Sequence, residues 1–458
     1  MMNSSLIQLN ALPTEIVLII LKYLSNVDVL YSLMGVNKRF NKIVHNHTFT
    51  DHLDLFRIVP KHLIEMISTS KYCILPLLDP ILGRFCSEIL PEIHDKIKFL
   101  NLESFSMERV LLATTYPDLF GLGLYGIEGE TAIDLFSDPN LFTYSLKNQV
   151  SSLVIDMNIN TNETLADDIY ALLLTRIFTT FRNLRLLAVN PSPVSYLYLS
   201  INNFPSTLNS STLVELYVGL SSFNDCLLIL DGRFNQLSIF HVKIETIRCS
   251  SLLINNKEKL PNLKSFALYT VYCTNSYNEL IVPLLHRMTN LERFDLSFVG
   301  YVTKSFIDGN NLKQNIIYHM ALLKKLTFNI RSFWFDSPMN IPSNEDIQQA
   351  FKDFKDMHII SCVDYFQKRK YSQCLVYSYP YKLQHYHEIT NQFPGGIFTC
   401  VHEVILYDEY PFEHEFFLRI ARSFPLVEKL TLINKKKKKL IGEFKIKIKI
   451  YQLLSTLI

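Results

Sequence analysis

The chain has 458 residues, 48% of them hydrophobic and 19% charged, enough apolar material for one large domain or two to three ordinary ones. Its formal net charge of +2 comes from the carboxyl end: eight lysines and one acid follow Asn434, and the body before them holds 37 basic and 42 acidic residues. A mildly acidic body argues against the basic footprint of a nucleic-acid binder. The eight cysteines form no C-x-x-C of a zinc site, and no run approaches the 18 apolar residues of a membrane span.

The amino terminus, MMNSSLIQLNALP, lacks the charged and apolar regions of a signal peptide, so the expected setting is reducing and intracellular, cytoplasmic and/or nuclear. The first strong element is "LPTEIVLIILKYL", Leu12 to Leu24. Pro13 suits the first helical position, where its missing N–H costs nothing, and Glu15 complements the helix dipole in the first turn. The spacing predicts a helix to about Leu24. Ser25 with Asp28 three residues on resembles a capping box opening a second helix, which stops at Gly35; a third starts at Asn37.

The first helix is apolar on more than one side. Ile16, Ile20, Tyr23 and Leu24 fall together, Val17 and Leu21 occupy a neighbouring side, and Leu18 and Ile19 lie beyond. Such a helix must be covered twice. Its two successors can cover one side; the remainder of the chain or a second protein has to cover the other.

These residues carry a resemblance. Leu12-Pro13-x-Glu15-Ile16, then Ile20-Leu21, Tyr23-Leu24, Leu30 and Val36-Asn37-Lys38-Arg39-Phe40 resemble an F-box over about residues 8–50. The chain departs from the family pattern at Phe40, where Trp is usual, and at Asn37, where Ser or Cys is commoner. The resemblance implies docking onto a Skp-type adaptor and through it a cullin. It assigns Leu12, Pro13, Ile16, Ile20, Leu24, Leu30 and Val36 to the adaptor-facing set.

Residues 51–95 read as a helical linker. Beyond it, seven segments share one register: an apolar residue, usually aromatic or Met, then Leu or Val three residues on, followed by alternating apolar positions. They begin at Tyr116, Phe181, Phe234, Leu260, Met288, Met320 and Phe424. Adjacent copies are 26, 28 and 32 residues apart, within the solenoid range, and most follow a helical stretch. The unit is helix, tight turn, short strand. The expected fold class is therefore α/β: a three-helix F-box followed by an irregular leucine-rich-repeat-like helix–strand solenoid over 96–434, a curved parallel sheet with helices outside. The buried Asn or Cys that leucine-rich repeats place after the last Leu is absent, so the turns need another way to satisfy their backbone.

Residues 331–400 break the rhythm and read as an insertion: a helix capped by Ser343, then strands in a β meander. The tail, 435–458, shifts abruptly to lysine and isoleucine and reads as a solvated, disordered end.

Chemistry is sparse. "GLGLYG", Gly121 to Gly126, matches a dinucleotide fingerprint, but its leucines place it within a repeat strand with no helix N-terminus for a pyrophosphate. The pairs His45/His47 and His385/His387 lack partners at metal spacing. No catalytic, cofactor-binding or metal-binding residue is assigned. The F-box resemblance, followed by the repeats, implies a non-catalytic substrate receptor of a Skp–cullin–F-box ubiquitin ligase, with an unidentified target protein on the repeats. The alternative is a repeat scaffold outside ubiquitin ligases, with the helical trio as its cap.

Overall fold

The computed structural model describes residues 9–60, 72–137, 146–157, 166–190, 198–201, 208–249, 258–335, 341–354 and 357–434. The tail assigned to 435–458 lies outside them. The chain divides into two compact units, Met1–Phe240 and His241–Ile458. An N-terminal three-helix region is followed by repeating β–α units of solenoid type.

The first unit opens with α1 (Thr14–Leu21), α2 (Asn26–Leu33), α3 (Lys38–Val44) and the one-turn α4 (His47–Thr50). Helix α1 stops three residues short of the expected end. Its last turn tightens instead, with the Tyr23 and Leu24 N–H groups donating to the Ile20 and Leu21 carbonyls at 3.2 and 3.0 Å. The Ser25 hydroxyl caps α2 by accepting from the Asp28 N–H at 3.1 Å, and Gly35 closes the connection at φ +81°, a conformation that glycine adopts without strain.

Strands follow immediately: β1 (His52–Pro60), β2 (Tyr72–Pro76), β3 (Phe99–Glu103), β4 (Gly121–Ile127), β5 (Ser152–Met157), β6 (Leu186–Val189) and β7 (Glu215–Ser222). The expectation of a helical linker over 51–95 is corrected in its first half. Among the described residues this segment is helical from Asp79 onward, over Asp79–Arg84, Phe85–Ile89 and Leu90–Ile93; residues 61–71 lie outside them. The strand was encoded: Leu53 and Leu55 alternate with His52 and Asp54, so one face can be buried and the other wet.

Strands β1, β3, β4, β5, β6 and β7 pair in parallel, and β2 pairs antiparallel on the far side of β1. Their register aligns Leu53, Leu100, Leu122, Leu153, Leu187 and Leu216 across six strands, and each of these side chains is buried. Burial is worth about 1.5–3 kcal/mol for each such leucine, so the ladder is a main source of this unit's stability.

The repeat has a concrete meaning. In all seven copies the backbone N–H of the fourth residue, Leu119, Leu184, Leu237, Leu263, Leu291, Leu323 or Val427, donates to the carbonyl of the first at 3.1–3.3 Å. Each unit thus enters its strand through the same β-turn. Successive units are locked by a second device. The carbonyl just before a strand accepts two consecutive N–H groups from the next unit: Asp51 from Lys98 and Phe99, Lys98 from Phe120 and Gly121, Phe120 from Ser151 and Ser152. This shared acceptor satisfies donors at the entry to each strand without an asparagine ladder. At one exit an asparagine does serve: Asn190, at φ +47°, accepts from the Met157 N–H at 2.7 Å.

Strand β8 (Ile239–Thr246) carries the chain into the second unit. There β9 (Ser265–Thr270), β10 (Arg293–Val302) and β11 (Lys325–Trp334) continue the parallel pattern. Residues 331–400 depart from a simple meander. Strands β12 (Ile359–Phe366) and β13 (Tyr371–Ser378) form an antiparallel hairpin, with β13 also antiparallel to β11. Strand β14 (His385–Ile389) leaves that hairpin and joins a second, parallel sheet with β15 (Glu403–Asp408) and β16 (Lys429–Asn434). The copy beginning at Phe424 therefore feeds this second sheet. An aromatic core of Tyr377, Tyr381, Tyr386, Phe393, Phe398 and Phe424 packs beneath it.

Candidate functional site

Pro13 precedes the first turn of α1, so the helix begins where its missing donor is harmless. Val17 and Leu21, one turn apart, are 0% and 2% exposed, so this side of α1 is covered by the chain itself. The opposite side carries Ile16, Ile19, Ile20 and Tyr23, at the spacing that puts them on one helical face. These are 43%, 54%, 41% and 88% exposed, and Leu24 and Val36 add further open apolar surface. Water thus covers what the amino-acid pattern would bury.

Of the sequence-assigned set, Ile16, Ile20, Leu24 and Val36 lie on the surface, Pro13 is exposed and Leu12 is half-buried. Leu30 is corrected: it is fully buried with Val27 and Val29 on the inner side of α2, where it supports the trio and has no surface to offer. Sequence order could not separate Leu30 from Leu24. Ile19 and Tyr23 are additions to the exposed face.

The trio is held firmly. Asn37 caps α3 by accepting from the Phe40 N–H at 2.8 Å, which leaves the Phe40 ring buried at the place where the family pattern expects Trp. The Arg39 guanidinium donates to the carbonyls of Asn10 and Leu12, tying the segment before α1 to α3. Arg84 donates to the carbonyls of Tyr31 and Met34, the latter at 2.9 Å, and lies 5.1 Å from the Tyr31 ring centroid. A cation on the last carbonyls of α2 is favourable on charge grounds as well as by hydrogen bonding. Asn26 donates to the carbonyls of Thr48 and His52 at 3.2 and 2.9 Å, which links α2 to the start of β1.

The glycines of "GLGLYG" lie in β4, as the leucine spacing requires. A Cβ at Gly121 would stand 2.0 Å from Phe99 Cδ1, and one at Gly123 would stand 2.0 Å from Asn101 Oδ1. These glycines make room for side chains of the neighbouring strand, a structural task unrelated to phosphate.

The histidine pairs are equally occupied. His45 Nε2 lies 3.3 Å from Glu92, and His385 Nε2 lies 3.0 Å from the Tyr269 hydroxyl. Burial holds His387 far below its usual range, at about 3, so its ring is neutral. Among the described residues no group of three or more His, Cys, Asp and Glu could hold a metal ion.

One polar cluster escaped sequence reasoning because its members are far apart in the chain. Asp364 accepts from Gln373 Nε2 at 2.9 Å and Thr390 Oγ1 at 2.7 Å, while Arg331 pairs with Glu388 at 3.1 Å. Burial raises the Asp364 carboxyl. The cavity among these groups measures about 10 Å3, room for no more than a single water. The cluster joins β11 and the hairpin to β14 and has no space for a substrate.

A family model described as F-box-like matches residues 9–55. No curated protein matches the chain. An F-box-like module is a non-catalytic adaptor module of ubiquitin-ligase-type complexes, and it implies interaction with a Skp-type adaptor. Among the described residues no helix is long and apolar enough to cross a membrane.

Proposed function

We propose that this chain is the substrate-recognition subunit of a Skp–cullin–F-box ubiquitin ligase. The helical trio binds the Skp-type adaptor and the β–α repeats hold a target protein. The observation that carries this reading is the open face of Ile16, Ile19, Ile20, Tyr23 and Leu24 on a helix whose other side is anchored by Val17 and Leu21. That face still lacks the second covering that the sequence demanded; none of the described residues provides it, and a bound adaptor would. The receptor performs no bond chemistry. It acts by proximity, raising the local concentration of target near the transferring enzyme.

The test is co-expression with a Skp-type adaptor. The intact chain should co-purify with it, and Ile16→Asp with Ile20→Asp should abolish capture while leaving the thermal melt unchanged. Absence of capture by the intact, folded chain, or equal capture by the doubly substituted one, refutes the reading.

A further inference from the structure

The hairpin between β12 and β13 turns through Lys368, Arg369 and Lys370, three consecutive exposed cations with Lys370 at φ +54°. Two of them lie on aromatic faces: Lys368 Nζ is 4.9 Å from the Tyr410 ring centroid, and the Arg369 guanidinium carbon is 4.7 Å from that of Tyr407. From Tyr407 the rings continue without a gap. Phe366 is 5.1 Å away, Tyr371 follows at 4.7 Å, Phe335 at 5.5 Å and Tyr301 at 5.4 Å. The inner members of this row are buried and the outer ones are not: Tyr301 is 44% exposed, Phe335 55% and Tyr410 54%.

The acids near the turn are already committed. Glu409 accepts from the Lys368 and Arg369 N–H groups at 2.8 and 2.9 Å. Asp408 accepts from the Asn391 and Tyr410 N–H groups at 2.8 and 3.0 Å, and Glu388 is paired with Arg331. The carboxylates thus serve the interior; Lys368 also donates its Nζ to the Glu409 carbonyl at 2.8 Å, which leaves Arg369 and Lys370 as the cations facing water. An isolated surface cation needs no explanation, but a cationic turn joined through buried rings to the open faces of Phe335 and Tyr301 has the form of a recognition surface.

We infer that the β12–β13 turn and the exposed rings of Phe335 and Tyr301, held in line by the buried rings between them, bind an acidic, aromatic-bearing segment of a partner protein. The stacked guanidinium of Arg369 keeps its edge N–H groups free for carboxylates. Phe335 and Tyr301 offer flat apolar faces to the segment's rings. A protein partner is favoured over a nucleic acid because the cations occupy a single turn, whereas a phosphate backbone calls for a long basic track. This inference rests on the proposed role as target receptor and names the chemistry of the target.

The experiment uses the full chain and a short fluorescent peptide of alternating glutamate and tyrosine, followed by anisotropy. A peptide with lysine in place of glutamate and a labelled oligothymidine are the comparison probes. The acidic peptide should bind, more weakly as salt rises, and the lysine peptide should not. Arg369→Glu with Lys370→Glu should weaken binding by roughly tenfold or more, and Phe335→Ala by about fivefold. Both variants should keep the parent's thermal melt, since the altered side chains are exposed. Equal binding of the two peptides, indifference to the double charge reversal, or tighter binding of oligothymidine overturns the inference. So does a chain truncated after Asn434 that loses all binding, because the lysine-rich tail would then be the acceptor. Adaptor capture is measured on the same preparations. Failed peptide binding with intact capture removes only this inference, and failed capture with intact peptide binding removes only the receptor reading.

Discussion

Helix α1 and the leucine ladder of β1 to β7 are built from the same kind of side chain and end in opposite environments. Leu53, Leu100 and Leu153 are wholly buried, while Ile19 and Leu24 are 54% and 52% exposed. Apolarity therefore does not by itself distinguish a residue that folds the chain from one that awaits a partner. What separates them is whether a neighbouring element of the same chain reaches them. Each ladder leucine has a register partner on the adjacent strand, and the outer side of α1 has none of its own trio against it.

The contrast can be broken most forcefully in the ladder. Leu153→Ala should destabilise the fold by about 2–5 kcal/mol, because a cavity opens between strands that cannot close around it. Chemical denaturation reads this directly, and a loss below about 1 kcal/mol would mean that the ladder is not a packed core. Gly121→Ala should cost about 1–3 kcal/mol, since the new methyl would overlap a Phe99 ring held between His52 and Phe120 at 5.5 and 4.6 Å.

A buried histidine sharpens the same comparison through pH. His387 has its folded pKa lowered to about 3 by burial, against 6.5 for the free side chain. Below the unfolded value the unfolded chain takes up a proton that the folded chain refuses. Its contribution is therefore complete above about pH 6.5 and is lost as pH falls toward the folded pKa. The melting temperature should drop over that interval, and His387→Phe should flatten the drop. An unchanged slope would show that other groups govern acid sensitivity. The smallest effect belongs to the open face. Ile20→Asp should alter stability by no more than about 0.5 kcal/mol, and a melt shifted by more would mean that α1 packs its outer side internally after all.

Local chemistry made much of this architecture legible. Ser25, Gly35 and Asn37 mark their helix ends because each satisfies a terminal backbone group or a positive φ. The first and fourth positions of each repeat were readable because both serve one turn. What stayed hidden is non-local. Nothing near Leu30 reveals that α2 turns it inward, and nothing near His385 reveals that β14 abandons the preceding hairpin for β15. Strand β1 is a different failure. The alternation of Leu53 and Leu55 was present, but its partner β3 begins at Phe99, beyond a long excursion that conceals the pairing.

One feature of the N-terminal region sets how a bound partner would be presented. Asp51 alone separates α4 from β1, and its carbonyl already holds the Lys98 and Phe99 N–H groups. With Arg84 and Asn26 bracing α2 from behind, the trio meets the first strand with no swivel between them. A body docked on α1 would inherit a fixed bearing along the strands of that unit.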